Sequence, residues 1–256
     1  MRVGTSGWSY GHWEGPFYPA KLPDRQRLAF YASRFPTVEI DATFYRLPSE
    51  QAVRHWRDEV PKDFAFAVKG SRFVTHFRRL QKADDSVRTF MERLSPLGDK
   101  LAVVLWQLPP NLERDEGLLD RFLERLPAGV RYAVEFRNRS WLVPEAFEVL
   151  RAHNCAHVQV SSDIMPENLT VTADFVYVRF HGTDTYHGAY KEPALEPWRR
   201  FLCQQASKGR DGYAYFNNDF EAHAPADARR LTAMLGDAAV RPADREADGT
   251  GAARGR

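Results

Sequence analysis

The chain has 256 residues, of which 43% are hydrophobic, and this length suits one large α/β domain or two ordinary domains. Its 36 Lys and Arg nearly balance its 34 Asp and Glu, so a net charge of +2 gives no global signature of nucleic-acid or membrane binding. Cys155 and Cys203 form no disulfide framework or metal-ligand pattern, and no apolar signal or membrane-spanning run is present, so we expect a cytoplasmic protein.

Eight short runs have the composition of β-strands, and their starts lie roughly 20 to 40 residues apart, about the size of a βα unit. These strand-like runs are residues 2–6, 37–41, 64–69, 101–108, 132–137, 156–161, 175–181 and 213–217. Helical patterns lie between most of them, at residues 25–35, 49–60, 84–97, 115–126, 144–153, 196–208 and 225–235. Repeated alternation of strand and helix over this length predicts an α/β fold, a TIM-type (β/α)8 barrel.

Two segments depart from this regular pattern. The link between the sixth and seventh strands is too short for a full helix and contains Pro166, so we predict a short and irregular connection. The last stretch is rich in Ala, Gly, Asp and Arg without an apolar period, which is typical of disorder. We therefore predict a single barrel domain over residues 1–236 and a disordered tail over residues 237–256.

A period of two along each strand separates an apolar face from a polar one. In the fifth strand, Tyr132, Val134 and Phe136 oppose Glu135 and Arg137. In the sixth strand, the same rule assigns the residues at 157, 159 and 161 to the polar face. The inward face predicted in this way carries Glu39, Asp41, Lys69, Glu135, Arg137, Arg179, His181, Asn217 and Asp219.

These inward charges favour a functional site. Burying an unpaired charge costs several kcal/mol, so such groups must be paired, hydrated or used. The active sites of α/β barrels lie at the carboxyl ends of the strands, where most of these residues fall. For any single residue, a structural ion pair remains an equally open interpretation.

Two loops add candidates for ligand binding. The segment Gly7-Trp8-Ser9-Tyr10-Gly11 matches the G-x-S-x-G pattern, but Gly15 and Pro16 break the helix that a nucleophile elbow needs. We interpret it as an aromatic loop whose Trp8 and Tyr10 line the barrel mouth. After the third strand, Lys69 and Arg72 are candidates to bind a phosphate or carboxylate, whereas Arg78 and Arg79 are more typical of a solvated loop.

Cofactor motifs are lacking in the sequence. No P-loop or G-x-G-x-x-G occurs, so no nucleotide cofactor is expected, and the histidines show no H-E-x-x-H spacing. A divalent metal could assemble from acids and a histidine on separate strands. We do not favour it, because the cations Lys69, Arg137 and Arg179 raise the cost of adding another cation nearby.

A series of motifs carries a family resemblance. They are GTSGWSY at 4–10, VEIDATFY at 38–45, VKGSR at 68–72, QLPP at 107–110, EFR at 135–137 with SW at 140–141, RFHG at 179–182 and YFNND at 215–219. In this order they resemble the successive motifs of the YecE-like proteins, the DUF72 family, from about residue 2 to 235. The resemblance implies a TIM-barrel fold and supplies no activity. At Asp41 the chain departs from the family, which more often has Asn there, and the aspartate adds a negative charge.

The mixed-charge mouth leads to a first functional hypothesis, a hydrolase or phosphoesterase-like enzyme. Its substrate would be small and anionic or phosphorylated, with phosphodiesters included. The candidate catalytic residues are Glu135, Glu39, His181 and Asp219. The candidate ligand-binding residues are Lys69, Arg72, Arg137, Arg179, Trp8, Tyr10, Asp41 and Asn217.

Two alternatives remain open. One is a non-catalytic module that binds nucleic acid or an anionic metabolite. The other is a sugar-processing barrel that uses Glu39 and Glu135 as paired carboxylates, which depends on their separation. The sequence leaves the oligomeric state open.

Overall fold

The computed structural model describes residues 1–184 and 188–242 of the chain. Eight parallel strands within this part form one sheet in the order β1-β8-β7-β6-β5-β4-β3-β2. Their bounds are β1 (Arg2–Thr5), β2 (Thr37–Ile40), β3 (Ala65–Lys69), β4 (Leu101–Gln107), β5 (Arg131–Glu135), β6 (Ala156–Ser161), β7 (Phe175–Phe180) and β8 (Asp211–Phe216). The predicted (β/α)8 barrel is confirmed.

The seam between β1 and β2 nearly closes the barrel. Ser6 and Glu39 form a parallel bridge there, and the backbone N–H of Gly7 donates to the carbonyl of Glu39 at 2.7 Å. Gly4 permits the close approach of β1 to β2, because a Cβ at this position would lie 2.2 Å from the carbonyl oxygen of Thr37.

Eight α-helices follow the strands in the described part of the chain, two of them after β2 and none between β6 and β7. They are α1 (Asp24–Ala32), α2 (Ala42–Tyr45), α3 (Glu50–Asp58), α4 (Asp84–Leu94), α5 (Glu116–Glu124), α6 (Pro144–Ala152), α7 (Glu192–Ser207) and α8 (His223–Leu235). Ser49 caps α3 by accepting from the N–H of Ala52 at 3.1 Å. The start predicted for α7 at residue 196 is wrong, because Pro193 occupies the first turn and the helix continues through Pro197.

Two short helices at the carboxyl end of the barrel were not predicted. The first is α2, and the second is a single π-helical turn at Phe73–Phe77, in the loop after β3. Each has only four or five residues, too few for a helical period to be recognised in the sequence.

The barrel interior is packed at the amino ends of the strands. Small side chains on β3, β5 and β6 face tyrosines on β7 and β8. The buried interior residues are Ala65, Ala67, Val103, Leu105, Ala133, Ala156, Val158, Val160, Phe175, Tyr177, Tyr213 and Tyr215. Because this end of the interior is filled with apolar side chains, polar chemistry is confined to the carboxyl ends of the strands.

Strand β6 corrects one expectation. Val158 and Val160 face the interior, so the predicted inward orientation of the polar residues of β6 is wrong. The His157 ring lies outside the barrel, 4.9 Å from the ring of Phe147, and burial lowers its pKa to about 4. Gln159 donates to the carbonyl of Thr170 at 2.9 Å. The link from β6 to β7 contains no helix, as predicted, and its backbone supplies the acceptor that lets polar side chains occupy the outer face.

The end of the described chain packs on its beginning. The N–H of Val240 donates to the carbonyl of Met1 at 2.8 Å, so contacts of the barrel extend past the predicted boundary at residue 236. The rest of the predicted tail, residues 243–256, lies outside the described residues. Across the described ranges, no helix has both the length and the apolar character needed to cross a membrane. The cytoplasmic location stays a prediction.

Candidate active site at the carboxyl ends of the strands

A buried arginine joins two buried carboxylates at the centre of the barrel. Arg179 on β7 places Nη2 2.7 Å from Oε1 of Glu39 on β2 and Nη1 2.7 Å from Oε2 of Glu135 on β5. The three side chains have no exposed area. The sequence predicted all three to face inward, and the structure brings them together.

Hydroxyl groups complete the shell of Glu39. Ser6 Oγ donates to Oε1 at 2.5 Å, and Tyr177 Oη donates to Oε2 at 2.5 Å. Burial raises the pKa of Glu39, but Arg179, Ser6 and Tyr177 overcome it and leave that pKa below its ordinary value. Glu39 is therefore a fixed, ionised group.

Glu135 is held in the same way by two cations. Its Oε1 contacts Nε of Arg137, and its Oε2 faces Arg179. Burial raises the pKa of Glu135, but Arg137 and Arg179 bring it well below the ordinary value. We call Glu39, Glu135 and Arg179 the ion-paired floor of the site.

A second layer of residues lies above this floor. Nη2 of Arg137 is 3.0 Å from Nε2 of His181, and the side-chain amide of Asn217 is 3.3 Å from Nδ1. Burial lowers the pKa of His181 to about 4 despite the nearby Glu135, so the imidazole is neutral at physiological pH. Nε2 also lies 3.5 Å from Oε1 of Glu135, and it accepts from Arg137 only when the imidazole proton is on Nδ1.

Asp41 and Lys69 form the outermost charged pair. Lys69 Nζ is 3.9 Å from Oδ1 of Asp41 and 4.4 Å from the centre of the Phe44 ring. The same Oδ1 is 3.6 Å from Nη2 of Arg179 and has no hydrogen-bond partner among the described residues. Burial and the charge of Glu39 raise the pKa of Asp41 to about 6, whereas burial lowers the pKa of Lys69.

Exposure separates the floor from the groups that a ligand can touch. The side chain of Asp41 is 21% exposed, and those of Lys69 and Arg137 are each 11% exposed. Asn217 is half-buried beside them. A ligand entering the mouth therefore meets one acid, two cations and an amide before it reaches the floor.

The aromatic loop after β1 borders this mouth. Tyr10 Oη donates to the carbonyl of Ser6 at 2.8 Å, and its ring lies 4.8 Å from that of Trp13. Burial and the nearby acids Asp41 and Asp219 raise the pKa of the Tyr10 phenol. A single 3-10 turn at Gly11–Trp13 follows instead of an α-helix, which agrees with rejecting a nucleophile elbow.

Three candidates lie away from the floor. Trp8 packs edge-on against Trp56 of α3 at 5.8 Å. Asp219 lies at the rim, where its Oδ2 is 3.6 Å from Nε2 of His12. Arg72 is exposed and stacks on Tyr45, with 5.5 Å from its Cζ to the ring centre.

Sequence reasoning overlooked several supporting residues. Ser6 and Tyr177 bond to Glu39, and Phe44 lies against Lys69. The period of two in β7 placed Tyr177 on the same face as Arg179, so a signal for Tyr177 was present. No comparable signal marked Phe44, because it lies in a short helix that was not predicted.

The site also bears on the metal hypothesis. Within the ranges described, no group of three or more His, Cys, Asp and Glu side chains is arranged to hold a metal ion. Instead, the Arg179 guanidinium lies between the carboxylates of Glu39 and Glu135.

The fold and the site define a (β/α)8-barrel protein with an ion-paired floor beneath a polar mouth. The chain belongs to the family described as "Protein of unknown function DUF72", whose family model matches residues 2–249. This confirms the resemblance inferred from the motifs.

Individual relatives agree with this assignment. UPF0759 protein YunF of Bacillus subtilis is 27% identical over 267 residues, covering 91% of this chain and 94% of YunF. UPF0759 protein YecE of Escherichia coli is 33% identical over 137 residues, covering 53% of this chain and 48% of YecE.

Solved structures share the fold. The DUF72 family protein TM1631 of Thermotoga maritima has a TM-score of 0.83 at 29% identity, covering 91% of this chain and 98% of that one. The DUF72 family protein EF0366 of Enterococcus faecalis has a TM-score of 0.81 at 20% identity, covering 96% of this chain and 99% of that one.

Proposed function

We propose that the protein is an enzyme that hydrolyses a small phosphorylated substrate at the carboxyl end of the barrel. The observation that carries the proposal is the position of Asp41. The side chain of Asp41 is 21% exposed, and its buried Oδ1, which has no hydrogen bond among the described residues, lies 3.9 Å from Nζ of Lys69 and 3.6 Å from Nη2 of Arg179. An acid beside cations at an open mouth suits proton transfer on an anion.

Lys69 and Arg137 are the groups proposed to bind the phosphate. Both side chains are largely buried but retain exposed area, so their charge-assisted hydrogen bonds to a ligand would be only weakly screened by solvent. Arg179 has no exposed area and already pairs with two carboxylates, so its role is to position the floor.

Asp41 is the proposed acid–base group, in place of Glu39 or Glu135. A general base must come within about 2.6–3.2 Å of the proton it takes, and neither glutamate has exposed area. A pKa of about 6 lets Asp41 exchange a proton near neutral pH. Asp41 would take a proton from the attacking water and return it to the leaving oxygen, as the bond from phosphorus to that oxygen breaks.

This role is particular to chains with aspartate at this position. The family that the motifs resemble more often has asparagine there, which could contact the phosphate but could not exchange a proton. The Asp41→Asn substitution therefore keeps nearly the same side-chain shape and introduces a residue that the family's barrel accommodates.

The sugar-processing alternative has less support. Paired carboxylates in glycosidases flank the bond that is cleaved. Between Glu39 and Glu135 the space is occupied by the guanidinium of Arg179, which hydrogen-bonds to both.

The test combines phosphate binding and turnover. Calorimetric titration with inorganic phosphate is compared for the wild type, Lys69→Met and Lys208→Met, the last an exposed lysine after α7. We expect Lys69→Met to weaken phosphate binding by about tenfold or more, because it removes a charged hydrogen bond, and Lys208→Met to leave it unchanged. Equal affinity in both variants would overturn the anion site.

Turnover is measured on a panel of phosphomonoesters and phosphodiesters. Asp41→Asn should keep phosphate affinity and lose turnover by about 10²–10⁴-fold. Full turnover in Asp41→Asn would remove Asp41 from the mechanism. Phosphate binding without hydrolysis of any ester would replace the enzyme with a binding module.

A further inference from the structure

A cluster of exposed aromatic rings lies on the barrel rim beside the site. Tyr45 is 67% exposed, Phe73 45% and Phe77 67%. Tyr45 ends the short helix after β2, and the two phenylalanines lie on the π-helical turn after β3. We call these three rings, together with Arg72 and Arg78, the aromatic rim. Large rings exposed together indicate an interaction surface, because burying them would be favourable.

Arginines alternate with these rings. Cζ of Arg72 is 5.5 Å from the centre of the Tyr45 ring and 5.7 Å from that of Phe77. Cζ of Arg78 is 5.2 Å from the centre of the Phe73 ring. Both arginines are exposed, and neither forms a salt bridge with an acid in the described part of the chain. The rim is thus aromatic and locally positive, although the whole chain carries a net charge of only +2.

The rim is continuous with the proposed phosphate site. Lys69 lies over the ring of Phe44 at 4.4 Å, and that ring is 5.0 Å from the ring of Tyr45. From Tyr45 the contacts continue through Arg72 to Phe77, whose ring centre is 6.3 Å from that of Phe73. Cations and rings therefore run without a break from the mouth across the rim.

We propose that the aromatic rim binds single-stranded nucleic acid, with bases stacked on its rings and phosphates paired with its arginines. Every unpaired base has a flat face that stacks on an aromatic side chain, whereas a duplex hides these faces. An acidic peptide would use the arginines but has no need of several exposed rings. A single strand on this surface would stack its bases on the rings and pair its phosphates with the arginines.

The inference rests on the proposed function in one respect only. A strand that lies along the rim would bring one of its phosphodiesters to Lys69, which names the substrate class of that site. Binding to the rim itself requires no turnover and no contribution from Lys69.

The experiment measures binding of a labelled oligonucleotide of about twelve nucleotides by fluorescence anisotropy. Tyr45→Leu and Phe77→Leu keep an apolar side chain but remove the ring, and each should weaken binding by roughly tenfold. Tyr45→Phe keeps the ring and should bind like the wild type. Both positions are 67% exposed, so these substitutions should leave the fold intact, which circular dichroism of each variant checks.

The arginines are tested by the salt dependence of binding. Arg72→Gln should lower the slope of log K against log salt by about 0.7, the share of one released counterion. The matched control is Arg34→Gln, an exposed arginine that stacks on Phe30 at 5.3 Å but lies before β2, at the opposite end of the barrel. This control should change neither affinity nor slope.

Several results would overturn the proposal. They are no binding of the single strand, equal binding by the ring variants, or tighter binding of the matching duplex. The proposal would also be overturned if a poly-glutamate peptide bound as tightly as the oligonucleotide and the ring variants bound that peptide as well as the wild type does. If the rim variants lose the oligonucleotide while Lys69→Met binds inorganic phosphate as tightly as the wild type, the rim stands and the proposed function fails. If Lys69→Met loses phosphate but no rim variant affects the oligonucleotide, the proposed function stands and the rim fails.

Discussion

Nη1 of Arg179 lies 2.7 Å from Oε2 of Glu135, and neither side chain has any exposed area. Since Arg179 also bonds to Glu39, one cation joins two buried carboxylates from β2 and β5, strands that are not neighbours in the sheet. Breaking such a network is costly, because it leaves a buried charge without a partner.

Arg179→Met should destabilise the barrel by about 3–5 kcal/mol, measured by urea unfolding near neutral pH. Arg131→Gln, which removes a partly exposed ion pair with Asp211, should cost less than about 1 kcal/mol. Part of the Arg179→Met defect should be recovered in mild acid, where Glu39 and Glu135 can take up protons. A loss no larger than that of Arg131→Gln would show that the floor contributes little to stability.

Asp41→Asn should stabilise the protein at about pH 8 while it reduces turnover. The folded state raises the pKa of Asp41 from 3.8 to about 6, so it binds the Asp41 proton more tightly than the unfolded chain does. The contribution of Asp41 to stability therefore falls as pH rises from about 4 to 6, and asparagine removes this loss, worth up to about 3 kcal/mol. Urea unfolding of both proteins at several pH values measures the difference. It should shrink below about pH 4, and a difference independent of pH would contradict the raised pKa.

The two buried histidines should change stability with pH in the opposite direction to Asp41. Burial lowers the pKa of His157 and of His181 to about 4 each, against about 6.5 in an unfolded chain. The folded state thus keeps both rings neutral, and their contribution to stability is full above about pH 6.5 and lost as pH falls toward 4. NMR titration of the imidazole protons checks this, and a midpoint near 6.5 for His181 would mean that it can carry a proton at neutral pH after all.

Gly4→Ala should strain the seam that closes the barrel. The added Cβ would lie 2.2 Å from the carbonyl oxygen of Thr37, so β1 and β2 would have to separate. We expect a loss of about 1–3 kcal/mol or more in thermal unfolding. Gly11→Ala is the matched control, because a Cβ added there would meet nothing within 4 Å among the described residues. Similar melting of the two variants would show that the seam tolerates opening.

Much of this protein followed from the sequence alone. The spacing of the strands predicted the barrel, because each βα unit must bury one face of a strand under a helix. The period of two placed Glu39, Glu135 and Arg179 on one inward face, and the motifs predicted the family.

Tertiary structure decided what those residues can do. Only packing shows that Arg179 lies between Glu39 and Glu135, which makes the glutamates a fixed floor and leaves Asp41 and Lys69 to face the mouth. The sequence pattern wrongly placed the polar side chains of β6 inside the barrel, because Gln159 finds its hydrogen-bond partner, the carbonyl of Thr170, on the outer face. Arg72, expected at the site, stacks instead on rings from two different loops. In each case the outcome depends on which groups from distant parts of the chain come into contact, and a local sequence pattern does not determine such long-range contacts.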